Sequence, residues 1–159
     1  MSSILEHLGK DTLPNDLVER FVYWCIWEQA RPALVRVLTE TGLKHHAEAI
    51  DQAGDLNALA ALSHKAGQAA EEARRSTGPL GLSTAQAASF LVSRLVQSAS
   101  EQDYDPEGVA FFTAQVCGWA GFADGAFSDP ALKNEAEARA RREQEEHLTQ
   151  LWQSYSRHG

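Results

Sequence analysis

The sequence predicts an all-α protein, a single-domain bundle of about six to seven helices with one central apolar helix. Three observations carry that prediction. Alanine is abundant, and most segments keep the helical spacing of apolar residues. Runs of β-branched residues and hairpin dipeptides such as Asn-Gly are missing. Cap residues and prolines punctuate the chain where helices would start and stop. A length of 159 residues fits one domain, and 43% hydrophobic residues with four Trp, six Phe and three Tyr suffice for one core.

Residues 1–14 read as an irregular or partly helical lead-in, and 15–156 as the helical domain. The first long helix begins at Asn15 or Asp16. Its run Phe21-Val22-Tyr23-Trp24-Cys25-Ile26-Trp27 is apolar on all sides, which predicts a central position. Alone, that run also suits a buried strand; the flanks Asp16 to Arg20 and Glu28 to Ala30 favour helix. Pro32 predicts a kink or restart, with a second helix through Leu34, Val35 and Leu38 to Gly42. A short helix follows, from Lys44 to about Ala53, closed by Gly54. Asp55 caps the next, Leu56 to Arg75, with Leu59, Leu62, Ala66 and Ala69 or Ala70 on its inner face.

Ser76 to Gly81 is the clearest loop. Ser83 with Gln86 makes a capping box for a helix carrying Ala88, Leu91, Val92, Leu95 and Ala99. Asp105-Pro106 and Asp129-Pro130 each pair a cap with a proline at the first helical position. They bracket Gly108 to Ala123, sixteen residues without a charge, read as the buried helix of the bundle. Gly118, Gly121 and Gly125 permit close helix packing there. The last helix runs from Pro130 to about Ser156. It offers the pairs Glu135–Arg139, Glu137–Arg141 and Arg142–Glu146, then a stripe of Leu148, Leu151, Trp152 and Tyr155 that should dock on the core.

Charge is distributed unevenly. Residues 95–132 hold six acids (Glu101, Asp103, Asp105, Glu107, Asp124 and Asp129) and no Lys or Arg. This window supplies most of the formal net charge of −8. A pI near 5.2 argues against binding nucleic acid or an anionic membrane, both of which need a basic face. A basic protein partner suits it. Met1 to Lys10 lacks the basic-then-apolar pattern of a secretory signal, so a cytoplasmic protein is expected. Cys25 and Cys117 read as two buried thiols, with a disulfide between them left open.

No pattern points to a reaction, a metal or a cofactor, and none is expected. None of the six His has a Glu three residues before it, as a di-iron bundle site requires, and His-Glu-x-x-His is absent. His45 and His46 point about 100° apart on a helix and so read as a solvated face. Glu71-Glu72 and Glu143 with Glu145-Glu146 sit among arginines and read likewise.

The chain resembles the helical immunity proteins encoded beside bacterial polymorphic toxins. Trp24-Cys25-Ile26-Trp27-Glu28, Ala110 to Ala126 and Glu143 to Trp152 carry the likeness, by layout more than by motif. That family tends to carry His among the small residues of its middle helices, and this chain has none between Val109 and Asp129. No individual residue role is therefore carried over. The resemblance implies a protein without catalysis that occludes a toxin, here a basic toxin domain. The candidate contact surface is Glu101, Asp103, Tyr104, Asp105, Glu107 and Asp124, with Tyr104 as an aromatic anchor. The plain alternative is an acidic loop that aids solubility. Two other classes stand beside it. One is an enzyme or small-ligand or metal-binding protein with a site assembled only in three dimensions. The other is a homodimer formed through Trp152 and Tyr155.

Overall fold

A 3-10 turn, Ile4–His7, sends Leu5 and Leu8 into the core, so the lead-in is partly packed. This computed structural model describes residues 4–8, 12–76, 80–101 and 104–158. Among them are seven α-helices and no strand; counting the joined first pair as one rod gives six. No described helix is long and apolar enough to cross a membrane.

The rod begins with α1 (Asn15–Trp24), passes through a π-helical turn (Cys25–Ala30) and continues as α2 (Arg31–Glu40). The kink or restart expected at Pro32 takes the form of a change of helix type. In a regular α-helix the Pro32 ring would press on the Glu28 carbonyl and offer it no N–H. The wider π turn, in which the Arg31 N–H donates to the Ile26 carbonyl five residues back, makes room for the ring. Gly42, at φ 82, turns the chain into α3 (Lys44–Asp51).

Asp55 caps α4 (Leu56–Arg75) as expected, accepting a 2.8 Å bond from the Ala58 N–H. The antiparallel α5 (Leu82–Ala99) is tied to α4 by Ser93 Oγ, which donates to the Ala60 carbonyl at 3.0 Å. The capping box at Ser83 does not form. Gly81 is the N-cap instead, in the left-handed region at φ 92, and Gln86 Oε1 is buried without a hydrogen-bond partner among the described residues. The Phe127 ring lies where a Gly81 side chain would be, so only glycine admits that contact. Of the loop expected at Ser76 to Gly81, residues 77–79 lie outside the described residues.

Central α6 (Pro106–Asp124) packs against α7 (Pro130–His158), α2, α5 and the π turn. Its small residues decide how closely α7 approaches. A Cβ on Gly118 would meet the Lys133 carbonyl at 3.1 Å; one on Gly121 would meet the Leu132 carbonyl at 2.7 Å and collide with Ala136. The glycine spacing therefore works as a packing seam. The core draws on every helix, from Phe21, Ile26, Leu34 and Leu38 through Ile50, Leu59 and Val92 to Val116 and Leu148.

The three acid–base pairs expected along α7 do not close; Arg141 donates to Gln144 Oε1 at 3.0 Å instead. The stripe docks through buried Leu148 and half-buried Leu151, then leaves the core. Trp152 and Tyr155 face solvent, stacked on each other at 6.3 Å.

Candidate functional site

The candidate residues divide between the two ends of α6. Glu101 and Asp105 are exposed in the α5–α6 connection, and Glu107 is exposed on the first turn of α6. Asp124 closes the other end, about 28 Å away at 1.5 Å per residue. Asp103 lies outside the described residues.

Two of these acids exchange the roles their sequence positions suggest. Asp105 occupies the N-cap position of α6, yet its side chain accepts no capping bond. Its carboxylate leans over Gly108, where a Cβ would meet Oδ2 at 2.7 Å. Asp124, which no local signal claims, pairs with Arg36 on α2. Asp129 does cap, accepting from the Ala131 N–H at 3.0 Å. Among the described residues, the candidate acids without an internal partner are thus Glu101, Asp105 and Glu107, all at one end.

Tyr104 anchors that end. It is half-buried against the core and lines a cleft with Glu19, Val22, Tyr23, Ile26, Leu56 and Ala99. Burial, and then the Glu19 carboxylate, raises its hydroxyl above the usual tyrosine range. Sequence reasoning missed Glu19 and Tyr23. The apolar run around Tyr23 suggests burial on all sides, but Phe21, Val22, Cys25 and Ile26 take the core while Tyr23 stays 48% exposed. The available signal is the four-residue spacing of Glu19, Tyr23, Trp27 and Arg31, which marks one helix face. Tyr23 stacks on Trp27 at 6.1 Å, and the Arg31 guanidinium lies 4.5 Å over Trp27.

Between Glu107 and Asp124, α6 carries no charge and is buried at nine positions, mostly Ala, Gly and Val. Its remaining face is aromatic. Phe111 is 50% and Phe112 42% exposed, with their rings edge to face at 5.4 Å. Gln115, Trp119 and Phe122 continue that face half-buried. Phe111 stands one helical turn beyond Glu107, so the apolar face begins where the acids end.

Other reactive groups are held quietly. Both cysteines are free. Burial, followed by the neighbouring Cys117 thiol, raises the Cys25 thiol far above its usual range. Burial, followed by Glu143, pushes Cys117 up to about 12. Neither is poised as a thiolate near neutral pH. Among the described residues no three His, Cys, Asp or Glu side chains gather where one ion would bind.

His147 lies flat against Trp24, with ring centroids 4.1 Å apart and planes within 10°. Burial lowers its pKa, with Glu28 opposing. Between that lowered value and the ordinary 6.5, the unfolded chain holds more protons at this site than the folded one. Stability therefore falls as pH drops through that window. His147→Phe keeps a stacked ring that cannot titrate. Its melting temperature should fall less than that of the unaltered protein between about pH 7 and about pH 5. Equal falls would remove His147 from the pH response.

Together these features define an all-helical bundle with an acidic, aromatic end and no metal-ligating cluster among the described residues. No protein-family model matches the chain, and no curated protein or solved structure matches it.

Proposed function

We propose that this chain is a non-catalytic binding protein that occludes a basic protein partner, and that the partner is a toxin encoded beside it. The observation that supports this reading most is the exposed pair Phe111 and Phe112, one turn past Glu107 at the start of an uncharged run from Gly108 to Ala123. An acidic loop serving solubility gives no reason for two adjacent solvent-facing phenylalanines. An apolar centre with a polar rim is the anatomy of a protein interface. The rim acids Glu101, Asp105 and Glu107 suit a partner whose own face is basic, as a nuclease domain is. Complementary charge then raises the association rate and selects against wrong partners. The resemblance to helical immunity proteins points the same way.

The test is co-expression with the product of the adjacent gene. The unaltered chain should relieve growth arrest and co-purify with that product. Phe111→Asp with Phe112→Asp should lose both effects. Asp105→Lys with Glu107→Lys should slow association about tenfold at low salt, and much less once salt screens the charges. Full protection by the double Asp variant would sink this placement of the interface.

A further inference from the structure

The cleft beside Tyr104 is the size of one side chain. It encloses about 210 Å³, below the roughly 300 to 1,000 Å³ of ordinary small-molecule sites. Its floor is apolar, made by Val22, Ile26, Leu56 and Ala99. Tyr23 and Tyr104 supply aromatic surface, and Glu19 supplies a carboxylate. No Lys or Arg is among the described residues that line it.

We propose that this cleft receives a single arginine side chain of a protein partner, its guanidinium stacked on Tyr23 and paired with Glu19. The chain already contains the arrangement in its own rod. Arg31 lies over Trp27, and Trp27 stacks on Tyr23. Arg31 also donates to the backbone carbonyls of Trp27 at 3.1 Å and Asp51 at 2.8 Å. It therefore closes one end of an aromatic ladder with its Nε and Nη1 groups bonded. At the other end of the ladder, one turn before Tyr23, stands Glu19 with no hydrogen bond or ion pair among the described residues. A guest guanidinium there repeats the Arg31 arrangement, with a carboxylate in place of the backbone carbonyls. Arginine suits the cleft better than lysine. Its planar, weakly hydrated group stacks on an aromatic face, while its aliphatic stem covers the apolar floor. The raised Tyr104 hydroxyl fits the same picture, because a cation in the cleft offsets the Glu19 charge that helps to raise it.

This inference rests on the basic-partner reading for its biology, but its test needs no partner. N-acetyl-arginine amide is titrated into the protein while the ring resonances of Tyr23 and Tyr104 are followed by NMR. Saturable shifts at both rings are expected, with a dissociation constant in the millimolar range. N-acetyl-citrulline amide has the same shape without charge and should bind at least about threefold more weakly. Glu19→Gln should bring arginine down to the citrulline level, and Tyr23→Leu should weaken it about threefold. Both substitutions are on exposed positions, and an unchanged melting temperature confirms that the fold is intact.

Equal binding of arginine and citrulline overturns the proposal. So does tighter binding of N-acetyl-lysine amide, or indifference to Glu19→Gln. Arginine binding in a protein that captures no toxin upholds the cleft and removes the immunity reading. Unchanged toxin capture by the Glu19→Gln, Tyr23→Leu double variant does the reverse.

Discussion

Gln144→Leu lowers the unfolding free energy by about 2 to 4 kcal/mol, read as a lower urea midpoint with an unchanged slope. Gln144 is fully buried, and its amide joins three elements. Nε2 donates to Gln29 Oε1 in the π turn and to the Ala110 carbonyl on α6, both at 2.9 Å. Gln29 Nε2 in turn donates to the Ala140 carbonyl at 3.1 Å. Leucine matches glutamine in size, so the loss does not come from a cavity. It comes from leaving Gln29 Oε1 buried with no donor and depriving Arg141 of its acceptor. Adding Gln29→Leu removes the orphaned oxygen, so the double variant should be less destabilised than the sum of the two single ones. A single variant within about 0.5 kcal/mol of the unaltered protein would show that this network contributes nothing.

Gly121→Ala should destabilise by about 1 to 3 kcal/mol, which is a fall of several degrees in melting temperature. The sign is informative, because alanine is a better helix former than glycine by about 1 kcal/mol. Propensity alone therefore predicts a gain. Packing opposes it. The added methyl would stand 2.7 Å from the Leu132 carbonyl and collide with Ala136, and the α7 backbone cannot yield as a flexible side chain would. Gly118→Ala, at 3.1 Å from the Lys133 carbonyl, should cost less. Gly54→Ala meets nothing within 4 Å and serves as the neutral reference. A stabilised Gly121→Ala variant would mean that α6 and α7 are farther apart than described.

Features written in neighbouring residues are legible in the sequence. Asp55 announces α4 because its carboxylate reaches an amide three residues on. The glycines of α6 announce a close helix contact because their spacing repeats along one face. Features that join distant residues were not legible. Gln29 and Gln144 are 115 positions apart, and Arg36 and Asp124 are 88 apart. Only the packed chain brings such pairs together, and no local pattern selects one pairing over another.

The candidate site shows the same division. Tyr104 and its neighbouring acids stand out by composition. Their sorting into committed and uncommitted carboxylates depends on Arg36, which belongs to a different helix. Glu19 and Tyr23 reach Tyr104 only through the packing of the rod. Ser83 failed for a related reason. The capping pattern is present, but Gly81, with the Phe127 ring of the α6–α7 connection packed over it, caps the helix instead, two residues earlier.

The π turn at Cys25–Ala30 acts as an indexing device for the two halves of the rod. A π turn holds one residue more than the α-helical path it replaces, so it sets the rotational phase between α1 and α2. Winding the same residues as a plain α-helix would rotate α1 by about 100° relative to α2. Glu19 and Tyr23 would then swing away from Tyr104, while Leu17 and Phe21 would be pulled from the core. Gln29 lies inside this turn and is tied to Ala140 and Gln144 on α7. The last helix therefore holds the first in phase, and the surface beside Tyr104 is aligned by a bond network that it does not touch.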